Sequence, residues 1–182
     1  MLSESHDNPV SVLLVEDSAL DAKVIEGQLS HAPETPFTLA TADTLATGLA
    51  LLEERRFDVV LLDLNLPDSV GLKTFLKVYR LAPQVPVVIV TAQDDHELAT
   101  NAVCAGAQDF LVKGRTDVEG LVQAIRFAIK RHARLQRLNP HLAGLRAEAK
   151  PPAQADLLPD SDKLYAPLHE REPETFDQWR GG

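Results

Sequence analysis

Val59-Val60-Leu61-Leu62-Asp63 places four apolar side chains, two of them β-branched, directly before a carboxylate. The run is short and does not alternate with polar residues, so it reads as a β-strand covered on both faces. The aspartate then lands at the strand's carboxyl end. Two more runs end in the same way. Val12-Leu13-Leu14-Val15 leads into Glu16-Asp17, and Phe110-Leu111-Val112 leads into Lys113. In an open parallel α/β sheet, ligands bind at the carboxyl edge. Three carboxylates gathered there repel one another, by ~1 kcal/mol per pair at 4 Å in bulk water and by ~4 at an effective dielectric of 20. Stability offers no reason for such a cluster. A cation and an ammonium group sharing the pocket would offer one, and together they point to phosphate chemistry.

Outward from these runs, apolar strands and amphipathic helices alternate about five times. Strands are predicted at Ser11–Val15, Phe37–Thr41, Asp58–Leu62, Val87–Thr91 and Asp109–Val112. Helices are predicted between them. Ser18–Ser30 opens on Ser18 as N-cap. Asp43–Arg55 aligns Leu45, Leu49 and Leu52, and Val70–Leu81 aligns Leu72, Phe75, Leu76 and Tyr79. Asp95–Ala105 stops before Gly106, which suits a helix C-terminus. The last helix begins at Thr116-Asp117-Val118-Glu119, which reads as a capping box. This order implies a doubly wound five-stranded parallel sheet with right-handed crossovers and helices on both faces.

Length and composition limit the function classes. The chain has 182 residues, enough for one domain with an extension. We divide it into a flexible N-terminus (1–9), a domain (10–138) and a largely irregular C-terminal extension (139–182). The formal charge is −9. Residues 1–138 carry 13 basic and 19 acidic side chains, and residues 139–182 carry 5 and 8, so both parts are acidic. Nucleic-acid binding is not expected from that balance. The basic group Arg126, Lys130, Arg131, Arg134 and Arg137 reads as a solvated helix face near a C-terminus. A single cysteine, Cys104, excludes an intramolecular disulfide framework. With no signal-peptide pattern and no apolar run near 20 residues, a soluble cytoplasmic protein is expected.

The last helix repeats Leu121, Ile125, Ala128, His132 and Leu135 at spacings of four, three, four and three. That stripe fits a core-facing helix, and it also fits a protrusion that forms a homodimer with a second copy. Beyond Asn139-Pro140 the pattern decays into proline, acids and few large apolar groups.

Four segments in this order resemble a bacterial response-regulator receiver domain of two-component signalling, with its flavodoxin-like fold. They are Leu14-Val15-Glu16-Asp17-Ser18, Leu62-Asp63-Leu64-Asn65-Leu66-Pro67-Asp68, Val90-Thr91-Ala92 and Gly106-Ala107-Gln108-Asp109-Phe110-Leu111-Val112-Lys113. The resemblance covers roughly residues 10–135. It implies that Asp63 is the phosphoacceptor, that Lys113 supplies a charge for a phosphoryl oxygen, and that Thr91 supplies a hydroxyl. It also implies Mg²⁺ held by Asp17, Asp63 and the backbone carbonyl of Asn65, with Glu16 acting mostly through water. Phe110 would be the switch aromatic that moves with Thr91. The partners it implies are a sensor histidine kinase or phosphotransfer protein, and a downstream protein that reads the surface of about Asp95–Arg137.

One departure stands out. The family commonly has proline after the lysine, joined by a cis bond, whereas Gly114 follows Lys113 here. A non-proline cis bond costs ~2.5–4 kcal/mol, so a trans bond is expected. Ala92 would leave the phosphoryl site open, and Asn65 and Gln93 would influence phosphoryl lifetime. Residues 139–182 are too few and too polar for a DNA-binding or catalytic output domain, so a stand-alone switch, a phosphorelay intermediate or a phosphate sink is expected. An aspartyl-phosphate phosphatase of the haloacid-dehalogenase type is the alternative of another class. That class places Asp-x-Asp after its first strand, whereas Asp63 follows the third and Asn65 stands two beyond it. A dinucleotide-binding module lacks its Gly-x-Gly-x-x-Gly turn.

Overall fold

The computed structural model describes residues 9–32, 36–92 and 96–138. Five strands form one parallel sheet: β1 (Val10–Val15), β2 (Phe37–Ala42), β3 (Val59–Asp63), β6 (Val87–Thr91) and β7 (Asp109–Val112), in the order β2-β1-β3-β6-β7. The central strands are the continuous apolar runs. From Val12 to Val15 and from Val59 to Leu62 every side chain is buried. Alternate residues go to opposite faces. Leu13, Val15, Val60, Leu62, Val87 and Ile89 pack on one face with α2 (Leu45–Glu54), α3 (Leu72–Leu81) and α4 (His96–Cys104). Val12, Leu14, Val59, Leu61, Val88 and Val90 pack on the other with α1 (Ala19–Ser30) and α5 (Val118–Leu138). The doubly wound arrangement expected from the alternation is therefore the arrangement found.

Helix starts follow local chemistry. Ser18 caps α1 by accepting a hydrogen bond from the Asp21 amide at 3.3 Å. At α5 the expected capping residue is displaced by one. Asp117 Oδ1 accepts from the Gly120 amide at 2.8 Å, while the Thr116 hydroxyl donates to the Val112 carbonyl at 3.2 Å. Threonine and aspartate are both good caps, and Thr116 is engaged by the preceding strand. Gly106 has φ +121 where α4 turns into β7, in the left-handed region that favours glycine.

Two elements were not expected. Asn65–Leu66 (β4) and Ser69–Val70 (β5) pair antiparallel in a small hairpin directly after Asp63. Val70, expected in the helix, belongs to this hairpin. The chain then passes through Gly71 at φ +79, and α3 begins at Leu72.

The stripe on the last helix is mostly core. Leu121, Ile125, Ala128 and His132 are buried, and only Leu135 is exposed. Leu121, Ile125 and Ala128 pack with the sheet residues Val88 and Val90, the core-facing half of the expectation. Among the described residues no helix is long and apolar enough to cross a membrane. The expectations for residues 1–8, for Gln93 and Asp95, and for 139–182 lie outside the described residues.

Candidate functional site

Parallel register brings the site together. Val15 pairs with Leu62, so Glu16 and Asp63 follow side by side at the sheet's edge. Thr91 pairs with Val112, so Lys113 follows alongside Thr91, and its amide donates to the Thr91 carbonyl at 2.9 Å. Four distant segments thus deliver their polar residues to one place without any long loop.

The Lys113 ammonium sits at the centre. Its Nζ donates to Asp63 Oδ2 at 2.6 Å and to Glu16 Oε1 at 2.9 Å, and it lies 3.4 Å from Asp21 Oδ2. Burial acts most strongly on this lysine and favours its neutral form. The hydrogen bonds and charges of Asp63 and Glu16 together outweigh burial and hold the ammonium above the usual lysine range. Lys113 is therefore firmly cationic.

Glu16 shows the opposite balance. Its side chain is fully buried, and burial pushes its carboxyl up from the ordinary value. The Lys113 hydrogen bond opposes that rise, Asp63's charge adds to it, and the Ser18 amide, donating to Oε1 at 3.1 Å, opposes it weakly. Glu16 Oε2 lies 2.7 Å from the ammonium yet accepts no hydrogen bond.

Asp63 is buried at the end of β3, and both of its oxygens are occupied. Oδ2 receives the ammonium, and Oδ1 receives the Asn65 amide at 2.9 Å. Asp17 is exposed at the rim. One carboxylate oxygen each from Glu16, Asp17 and Asp63 lie within 4.8 Å of one another. Three carboxylates against one ammonium leave the cluster about two charges negative when all are ionised. Oxygen-only donors at this spacing suit a hard divalent ion such as Mg²⁺, which binds oxygens at about 2.0–2.1 Å and keeps several waters.

The remaining expected residues are placed as follows. Asn65 opens β4, with its side chain exposed and its amide on Asp63. Thr91 is buried, and its hydroxyl donates to the Ala92 carbonyl at 3.2 Å rather than to Asp63. Phe110 is half-buried against the core of the α2–α3–α4 face. It pairs with Ile89 while Thr91 pairs with Val112 two residues on, so Phe110 and Thr91 project from the same side of the sheet. The Lys113–Gly114 bond is trans, and Gly114 takes φ +72. Sequence reasoning missed Asp21 as a neighbour of the ammonium. The available signal was its place in the first turn of the helix that follows the acidic pair.

Comparison with known proteins follows the same lines. The family model of the response regulator receiver domain matches residues 12–126. The alginate biosynthesis transcriptional regulatory protein AlgB of Pseudomonas putida is 30% identical over 151 residues, which is 83% of this chain and 32% of that protein. The swarming motility regulation protein RssB of Serratia marcescens is 35% identical over 104 residues, 57% of this chain and 46% of that protein. A crystal structure of a response regulator receiver domain protein from Clostridium thermocellum superposes with a TM-score of 0.61 at 25% identity, covering 69% of this chain and 98% of the other. This chain spans about a third of the length of AlgB.

Proposed function

The chain belongs to the response regulator receiver family of two-component signal transduction, and from that membership we propose that Asp63 accepts a phosphoryl group and that the domain works as a switch. The observation that supports this most strongly is the Lys113 ammonium shared between Asp63 at 2.6 Å and Glu16 at 2.9 Å, within a three-carboxylate cluster.

The donor is a phosphohistidine on a sensor histidine kinase or phosphotransfer protein. An Asp63 oxygen forms the new O–P bond as the donor's P–N bond breaks and the imidazole leaves. Oδ2 must first be released by the ammonium, which then follows the phosphoryl oxygens. Mg²⁺ held by Asp17, Asp63 and the Asn65 carbonyl, with Glu16 acting through water, would neutralise charge on the transferred group. The Asn65 amide keeps Asp63 oriented through Oδ1. The donor must approach from the carboxyl edge, and exposed apolar surface flanks that edge. Leu20 is 73% and Val24 50% exposed on α1. A cleft of about 190 Å³ lies beside them, lined in part by Val24, Gln28, Val112 and Thr116. This is where a donor helix would rest.

The switch follows from the new charge. Phosphorylation shifts a two-state equilibrium only by its unequal interaction with the two states. The phosphoryl oxygens give the Thr91 hydroxyl a stronger acceptor than the Ala92 carbonyl it now uses. Thr91 and Phe110 share a side of the sheet, so moving one changes the space open to the other. The readout surface is then α4, β7 and α5. The phosphatase alternative needs a second acid two residues beyond the nucleophile, and Asn65 stands there.

The test is intact mass after incubation with acetyl phosphate and Mg²⁺. We expect one labile phosphoryl adduct that is absent in Asp63→Asn. A wild-type protein without an adduct, or an Asp63→Asn protein with the same adduct, would overturn the proposal.

A further inference from the structure

The hairpin after Asp63 cannot be stable by itself. Its ladder consists of two pairs, Asn65 with Val70 and Leu66 with Ser69, and two-stranded hairpins of any length are marginal in water. Yet its first residue must hold position, because the Asn65 amide orients Asp63. Its base is secured by the Gly71 amide donating to the Leu64 carbonyl at 2.7 Å. Its underside is secured by Leu66, which is buried, and by the Thr74 hydroxyl donating to Ser69 Oγ at 2.9 Å. Those contacts leave the tip, Pro67-Asp68.

Asp68 is an exposed residue that reaches a different element. Its Oδ1 accepts from the Leu45 amide at 2.9 Å, and its Oδ2 accepts from the Ala46 amide at 2.8 Å. These are the first two residues of α2. A helix begins with amides that have no partner inside it. Thr44 satisfies the third through its hydroxyl, which accepts from the Thr47 amide at 3.2 Å. The intrahelical ladder then starts with the Gly48 amide on the Thr44 carbonyl at 3.1 Å. The first turn of α2 has no acidic residue of its own. Asp68, more than twenty residues away in sequence, provides the negative charge that a helix N-terminus favours. Burial is the largest single influence on its carboxyl and raises it, while the Leu45 and Ala46 amides, its own amide and the charge of Lys77 all lower it. Together, with the two amide bonds foremost, these outweigh burial and hold the group below the ordinary aspartate range.

We infer that Asp68 is a positioning residue: its carboxylate fastens the tip of the phosphoacceptor hairpin to the N-terminus of α2 and thereby holds Asn65 against Asp63. The role rests on the proposed function only for its consequence, since Asn65 would also offer a carbonyl to the ion. The clamp itself is a property of the fold. It makes α2 part of the support of the site, although no α2 side chain reaches the site. Two side chains cap the same helix here, and only one of them is attached to the hairpin, so the two roles can be separated.

The test compares Asp68→Ala, Asp68→Asn and Thr44→Ala in the full chain. Two quantities are read: amide hydrogen exchange at Asn65 without metal, and the Mg²⁺ concentration that half-saturates phosphorylation by acetyl phosphate. Asp68→Ala should speed exchange at Asn65 about tenfold, along with Leu45 and Ala46. It should also raise the Mg²⁺ midpoint by about tenfold, as loss of a ligand's supporting contact does. Asp68→Asn keeps one acceptor oxygen and should fall between. Thr44→Ala should speed exchange at Thr47 and lower the melting temperature, with Asn65 and the Mg²⁺ midpoint unchanged. Unaltered Asn65 exchange in Asp68→Ala would overturn the inference. So would a Thr44→Ala protein in which Asn65 loosens equally, because helix stability alone would then explain the effect. If the wild type takes no phosphate, the functional proposal fails, and Asn65 exchange still decides this one.

Discussion

An aspartate stands at each end of β3, and the two differ in everything except their side chain. Asp58, just before the strand, is exposed. Its Oδ2 accepts from the Ser11 amide at 2.8 Å, and its own amide donates to the Ser11 carbonyl at 2.8 Å. Asp63, at the other end, is buried and holds an ammonium. At the amino edge, the neighbouring strand offers Asp58 backbone groups, so the side chain only extends the ladder. At the carboxyl edge, β1 delivers Glu16 and Asp17 while β7 delivers Lys113. The difference is made by what neighbouring strands bring to each edge, and that depends on register. A one-residue slip of β7 would carry Lys113 away from Asp63.

The largest contrast is chemical. Asp63→Asn should lose the phosphoryl adduct entirely, whereas Asp58→Asn should keep it at the wild-type level, as read by intact mass. The next is Lys113→Ala, which leaves two carboxylates facing each other with no ammonium between them. Urea unfolding should show a loss of about 2 kcal/mol, because hydrogen bonds to charged groups are worth more than neutral ones. Added Mg²⁺ should restore part of it.

Glu16→Gln sharpens the comparison in the opposite direction. Burial raises the Glu16 carboxyl above the ordinary 4.5, so the folded state holds this proton more tightly than the unfolded chain does. Its contribution is full below the unfolded value and is lost as pH rises through the folded one. At neutral pH without divalent ions, Glu16→Gln should therefore melt higher than wild type, by about a few degrees. The difference should close below about pH 4.5. The same variant should phosphorylate poorly. Asp68 behaves with reversed sign. Its carboxyl is held below 3.8, so its stabilisation is present above that value and is lost as pH falls through the folded value. Acid unfolding curves of wild type and Asp68→Asn should converge at low pH. The smallest effect belongs to Asp58→Ala, about 1 kcal/mol from lost hydrogen bonding, with phosphorylation intact.

Strand ends were legible because buried parallel strands leave a plain mark, a run of apolar residues stopped by a charge. That mark located Glu16, Asp17, Asp63 and Lys113. The Ser18 cap was legible because capping is local. The hairpin at Asn65–Val70 was not, since strands of two residues show no periodicity. The bonds from Asp68 to Leu45 and Ala46 were invisible because they join segments that only the fold brings together. At Thr116-Asp117 two competent caps stood side by side, and the tertiary contact of Thr116 with β7 decided between them. The stripe on α5 was read correctly as a stripe, and the structure buries all of it but Leu135.

The central claim is that the carboxyl edge holds more negative charge than Lys113 can balance, so that a divalent ion completes it. Calorimetric titration of Mg²⁺ into the unphosphorylated protein tests this most directly. One bound ion in the wild type, with binding lost in Asp17→Asn and unchanged in Asp58→Asn, is the predicted result. Equal binding by all three proteins, or none by the wild type, would contradict it.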